Sequence, residues 1–148
     1  HSGLAPDRLA FEVTEETVLG GEMAVLRRLG GLREMGIEIA LDDFGTGYSS
    51  LAYLKRLPAQ RIKIDRSFIH GIDHDPANQT ILKSLLVLAE GFGFRVTAEG
   101  VETAAEAAYL SGTYCQEVQG FLYGRPCSPA DFAATALAAH PPGDHPAR

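Results

Sequence analysis

Two adjacent carboxylates, Asp42 and Asp43, stand between the apolar run Ile37-Glu38-Ile39-Ala40-Leu41 and a Gly45-Thr46-Gly47 loop. Crowded carboxylates repel unless a cation or a proton sits between them. Side chains alternate along a strand, so the pair points to opposite sides if the extended geometry continues; both reach one pocket only if the backbone turns. The glycines allow a sharp bend and close approach to a ligand. Taken alone, the stretch is equally a strand leading into an Asp-capped helix.

It does not stand alone. Glu12 and Glu15 follow Leu9-Ala10-Phe11, Lys63 and Asp65 close the segment opened by Arg61-Ile62, Glu99 and Glu102 follow Phe94 to Ala98, and Gln119 follows Val118. Five strand-like segments thus each end in a polar residue capable of chemistry, as at the C-terminal face of a β/α barrel. Glu12, Asp42, Asp43 and Glu99 are hard oxygen donors suited to Mg2+ or Mn2+. Two such ions can clamp a phosphodiester and lower the pKa of a bridging water. Within that cluster Lys63 is a fixed cation facing a phosphate; outside it, a surface charge beside Asp65. Gln119 is weaker evidence, since a buried glutamine can simply satisfy backbone groups. His70 and His74 have a metal-ligand spacing, but Gly71 and Pro76 break any helix there, so they read as surface histidines. Arg125, in Gly124-Arg125-Pro126, reads as a contact to guanine or phosphate or as a solvated surface charge.

The elements that must position these residues alternate. Strands are expected at 9–13, 37–42, 61–64, 94–98 and 116–119. Between them come helices at 22–35 (Met23, Leu26, Leu29 and Leu32 inward, ended by Gly36), 49–57 (ended by Pro58), 77–91 (Ile81, Leu85 and Leu88 inward) and from Thr103 to about 110. Ser128 caps a last helix over 129–139 with Pro129 at its first position. The alternation predicts an α/β fold, a parallel sheet of right-handed β/α units. Residues 140–148, rich in proline and histidine, are expected to form a disordered tail.

The 148 residues suit one compact unit, and 45% apolar content is enough for a core. A net charge of −6 argues against polymeric nucleic acid as a partner, because lysine and arginine supply most of that affinity. No apolar run approaches a membrane span, and no signal peptide is visible. Two cysteines, Cys115 and Cys127, are too few for a disulfide framework. A cytoplasmic location is therefore expected; a membrane-anchored parent protein is compatible with it.

Five blocks occur in the order of a known family: Glu12-Val13-Thr14-Glu15, Asp42-Asp43-Phe44-Gly45-Thr46-Gly47-Tyr48-Ser49-Ser50-Leu51, Lys63-Ile64-Asp65, Ala98-Glu99-Gly100-Val101-Glu102 and Gln119-Gly120-Phe121-Leu122. From about Gly3 to Ala134 the chain resembles EAL domains, bacterial phosphodiesterases that hydrolyse cyclic di-GMP. The resemblance implies the C-terminal portion of a TIM-like barrel. It implies Glu12 as a ligand of a first metal, Asp42 as a ligand shared by two metals, and Asp43 as a ligand of the second. Lys63 would contact the attacking water or the phosphate, and Glu99 would be the general base. Gln119, Glu102 and Asp65 would support the site, and Glu15 would hold the Gly-Thr-Gly loop. That loop and the helix after it would lie at a dimer interface. The family's Glu-Ala-Leu motif and its metal-binding Asn are absent from the sequence, so residues 1–139 are expected to be a partial EAL domain. Its parent would be a metal-dependent phosphodiesterase with further domains, giving linear pGpG; the chain alone would be weak or inactive. The alternative is a non-catalytic cyclic di-GMP receptor or protein-interaction module. Five parallel strands of a larger barrel would leave open edges and apolar surface, favouring a homo-oligomer.

Overall fold

The computed structural model describes residues 3–15, 17, 23–47 and 51–139. Five strands form one parallel sheet in the order β1-β2-β3-β4-β5: β1 (Ala10–Thr14), β2 (Glu38–Phe44), β3 (Arg61–Ile64), β4 (Arg95–Ala98) and β5 (Glu117–Val118). Helices α1 (Met23–Glu34), α2 (Leu51–Leu54), α3 (Pro76–Phe92) and α4 (Ala104–Ser111) lie between successive strands, and α5 (Pro129–Ala139) follows β5. Chain order equals spatial order, the winding of a β/α barrel wall rather than of a doubly wound sheet. The tail over 140–148, and Tyr48-Ser49-Ser50 at the expected start of the second helix, lie outside the described residues.

Local chemistry sets the element ends. Asp75 accepts hydrogen bonds from Ala77 and Asn78 N–H groups, Pro76 follows it, and Gly93 closes α3 at φ 74°. Thr103 and Glu106 form a capping box at the start of α4. Gly36 ends the turn after α1 at φ 92°.

The core lies on the helix side of the sheet. Ile39, Leu41, Ile62, Ile64, Val96 and Ala98 are buried there with Leu26, Leu29, Leu82, Leu86 and Ala89. Each isoleucine so buried contributes about 1.5–3 kcal/mol. Helix α3 turns inward a stripe that only partly matches the expected Ile81, Leu85 and Leu88: Leu82, Leu86 and Ala89 are buried and Leu85 packs against the core, while Ile81 is exposed. The two stripes are neighbours around the helix, and packing on the sheet, not periodicity, selects between them. Met23 is likewise exposed at the end of its stripe.

The opposite face of the sheet departs from the expected apolar surface. The register pairs Ala10 with Glu38, Glu12 with Ala40, Ala40 with Arg61, Arg61 with Arg95, Lys63 with Thr97 and Thr97 with Glu117. Paired residues share a face, so this one is mostly charged. At its base Arg61 pairs with Glu38 at 2.8 Å and also with Glu117, and Arg95 reaches Glu38 at 2.5 Å. The strands looked like short apolar runs because their polar residues sit at alternate positions. Exposed apolar side chains occur instead at β1, where Leu9 and Phe11 lie open.

Candidate active site

Strand alternation carries Glu12, Asp42, Lys63 and Glu99 to one end of the charged face. Lys63 is 7% exposed. Its Nζ lies 2.7 Å from Glu99 Oε1, 2.9 Å from Glu12 Oε2 and 3.0 Å from Asp42 Oδ1. Burial works against the ammonium charge, but the close carboxylates of Glu99, Glu12 and Asp42 outweigh it and hold the Lys63 pKa above the ordinary lysine value. Burial is also the largest influence on Glu99. It raises that carboxyl's pKa, the Asp42 and Glu12 charges push the same way, and Lys63 only partly opposes them. A carboxylate tuned upward by its surroundings is a stronger proton acceptor than an ordinary glutamate.

The adjacent aspartates converge because the strand breaks its own rule. Asp43 has φ 54°, a left-handed conformation uncommon for a residue with a side chain. The pairing of β2 with β3 shifts register between Leu41 and Phe44. Carboxylate oxygens of Asp42, Asp43 and Glu99 consequently all lie within 4.8 Å of one another. Asp42 Oδ1 is buried and, although 3.0 Å from Lys63 Nζ, receives no well-directed hydrogen bond. Three hard oxygen donors, one with an unsatisfied lone pair, fit a divalent cation. Glu12 pairs with Lys63 and stands outside this three-residue group; Glu99 stands inside it.

The supporting residues occupy distinct places. Glu15 is buried and accepts a hydrogen bond from the Gly45 N–H at 3.2 Å. A Cβ on Gly47 would lie 2.9 Å from Glu15 Oε1, so the loop sits directly on this carboxylate. Asp65 caps a 3-10 turn at Arg66–Phe68, accepting from the Ser67 N–H at 3.0 Å. Burial raises its pKa, but the bonds from Ser67 outweigh this and lower it overall. Gln119 borders a cleft of about 330 Å3 shared with Glu12 and Lys63. It also borders a second, of about 210 Å3, shared with Asp65, Glu99 and Glu102. A Cβ on Gly120 would fall 2.1 Å from the Val101 carbonyl oxygen, so only glycine admits this approach of the loops after β4 and β5. Arg125 stacks over the Phe121 ring at 4.3 Å. His70 and His74 are exposed.

Two features escaped the sequence reading. The Glu38-Arg61-Glu117-Arg95 base was hinted at only by arginines at strand starts. Glu106 is 2% exposed, and its signal was the Thr103-x-x-Glu106 capping pattern.

A family profile described as "EAL domain" matches residues 1–126. The bifunctional diguanylate cyclase/cyclic di-GMP phosphodiesterase MucR of Pseudomonas aeruginosa is 45% identical over 135 residues, 91% of this chain. The chain spans only 20% of that relative's length. The solved MucR phosphodiesterase in complex with c-di-GMP superposes with a TM-score of 0.82 at 45% identity, over 87% of this chain and 52% of that one. BlrP1 of Klebsiella pneumoniae, solved with manganese and cyclic di-GMP, matches with a TM-score of 0.77 at 39% identity, over 84% of this chain and 32% of that one.

Proposed function

The chain belongs to the EAL domain family, and on that premise we propose that it forms the C-terminal part of a metal-dependent cyclic di-GMP phosphodiesterase within a longer protein. The observation that carries the reading is the convergence of Asp42, Asp43 and Glu99 oxygens beside the buried Lys63. Asp42, Asp43 and Glu99 would hold a divalent cation, Mg2+ or Mn2+, with Glu12 as a further ligand. Such a cation supplies Lewis-acid stabilisation of the phosphodiester and makes a water more acidic. Glu99 would take the water's proton as the water oxygen attacks phosphorus; the P–O bond to one ribose breaks, and the departing ribose oxygen takes up a proton from solvent. Hydrolysis of one linkage of cyclic di-GMP gives linear pGpG. Lys63 places a fixed positive charge against the phosphate oxygens. Asp65, Glu102 and Gln119 border the substrate cleft, and Glu15 fixes the Gly45–Gly47 loop that follows Asp43.

A second reading, a non-catalytic cyclic di-GMP receptor, is favoured by one observation: Lys63 already compensates three carboxylates. Metal binding separates the two. Saturating Mn2+ should raise the thermal midpoint of the chain, since binding at about 100 times Kd stabilises the folded state by about 2.7 kcal/mol. Asp42→Asn should abolish most of that rise. An equal midpoint gain in the variant, or none in either, would exclude Asp42 as a ligand and leave the receptor reading.

Strands β1 and β5 each pair on one side only among the described residues. Unpaired strand edges pair with other chains unless covered. We therefore expect residues 1–148, purified alone, to self-associate and to turn over cyclic di-GMP poorly. Light scattering and a nucleotide assay check both; a monomer with a rate of about 1 s−1 or more would overturn both. The free cysteines Cys115 and Cys127 fit a cytoplasmic site of action. Among the described residues no helix is long and apolar enough to cross a membrane.

A further inference from the structure

Glu106 lies outside the cluster that would do chemistry, yet its carboxylate is buried and both oxygens are used. Oε2 accepts the Glu102 N–H at 2.9 Å and the Thr103 N–H at 3.0 Å. Oε1 accepts the Gly71 N–H, 35 residues away in sequence, at 2.9 Å. A helix cap needs only the first oxygen. The second joins the segment after β3 to the segment after β4. Other contacts lock the same two segments. Glu99 N–H donates to the Ile64 carbonyl at 3.0 Å. A Cβ on Gly100 would lie 2.4 Å from Arg66 Cβ, so these segments touch without space between them. On the far side Val101 N–H donates to the Gln119 carbonyl at 3.0 Å.

The Glu99 carboxylate lies 2.7 Å from Lys63 Nζ and within 4.8 Å of the Asp42 and Asp43 oxygens, a placement that the backbone carrying it must fix. We propose that Glu106 is a positioning residue: through its bond to Gly71 it braces the Glu99–Glu102 segment and keeps the Glu99 carboxylate against Lys63 and the aspartates. Glu106 touches no reacting atom and acts only through the backbone of that segment. The same bonds keep it ionised. Burial raises its pKa, but the N–H groups of Gly71, Glu102 and Thr103 outweigh that and lower it. The proposal deepens the phosphodiesterase reading and rests on it for the role of Glu99.

Glu106→Gln separates brace from cap. Its amide oxygen can serve Glu102 and Thr103, but its NH2 then faces the Gly71 N–H, donor against donor. Thr103→Ala weakens the cap and leaves the brace. Amide hydrogen exchange on the metal-free chain should show Gly71 and Glu99 exchanging at least about 10-fold faster in Glu106→Gln than in Thr103→Ala. Acceleration confined to Gly71 would overturn the proposal. In the unmutated chain under mild denaturant, the Gly71 and Glu99 amides should share one opening transition; separate transitions would overturn it even if the glutamine variant does not fold. By calorimetry, Mn2+ affinity should fall about 10-fold in Glu106→Gln, the scale of losing an outer partner of a metal ligand. Absence of Mn2+ binding by the wild type would remove the phosphodiesterase reading, and the exchange comparison would still decide the brace.

Discussion

Glu99→Gln is expected to slow cyclic di-GMP hydrolysis by the full-length protein at least about 10²-fold, the ordinary scale for losing a general base. The same substitution is expected to raise the thermal midpoint of the metal-free protein at pH 7. The two effects share a cause. Burial, helped by the Asp42 and Glu12 charges, lifts the Glu99 pKa above its usual value of 4.5, Lys63 opposing only in part. A carboxyl whose folded pKa is raised binds its proton more tightly in the folded state than in the unfolded one. Its ionisation therefore costs stability, progressively, as pH rises from the ordinary glutamate value through the raised one. Glutamine removes that charge with little change of volume and can still accept a hydrogen bond from Lys63. Melts across this pH range should show the variant's advantage growing with pH and vanishing in acid. Undiminished turnover would exclude Glu99 as the base. A lower midpoint at pH 7 would show that pairing with Lys63 outweighs the burden of burying Glu99.

The site that holds Glu99 was legible in part. Ligand types and strand ends could be read because each polar residue follows an apolar segment, and a parallel strand must deliver its last side chain to the same end of the sheet as its neighbours. The five strands and their order follow from the same alternation. Whether Asp42 and Asp43 converge was left open, since it depends on the left-handed conformation of Asp43 and a register shift. Neither leaves a mark in composition. The inner stripe of α3 was read correctly at Leu85 but off by one at Ile81, because Ile81 and Leu82 are equally apolar and only packing distinguishes them. The charged inner face was present in the sequence as Arg61-x-Lys63 and Arg95-x-Thr97. Its meaning required the register that places Glu38 and Glu117 beside those arginines.

Lys63→Met tests whether a lysine and a cation share the same carboxylates. The methionine fills similar space and removes the only side-chain cation within 3.0 Å of Glu12, Asp42 and Glu99 among the described residues. Stranding buried charges by deleting one partner typically costs about 3–5 kcal/mol. The lower end applies here, because Glu12 is half exposed and its share is screened by solvent. Against a usual total of about 5–15 kcal/mol this is a large loss. Burial lowers the Lys63 pKa, but the carboxylate bonds raise it above the usual 10.5. Stability from such a group is fully present below its unfolded pKa and is lost only as pH rises through the folded value, so the deficit of the variant should be complete at neutral pH. Mn2+ should then stabilise Lys63→Met more than it stabilises the wild type, because Asp42 and Glu99 have lost their competing cation. Turnover should stay depressed by about 10²-fold or more even at saturating Mn2+, since the charge facing the phosphate is gone. Paired melts with and without Mn2+ measure the difference directly. A metal-induced shift in Lys63→Met no larger than that of the wild type would mean that the lysine and the ion bind different groups, and the carboxylate cluster would have to be divided between them.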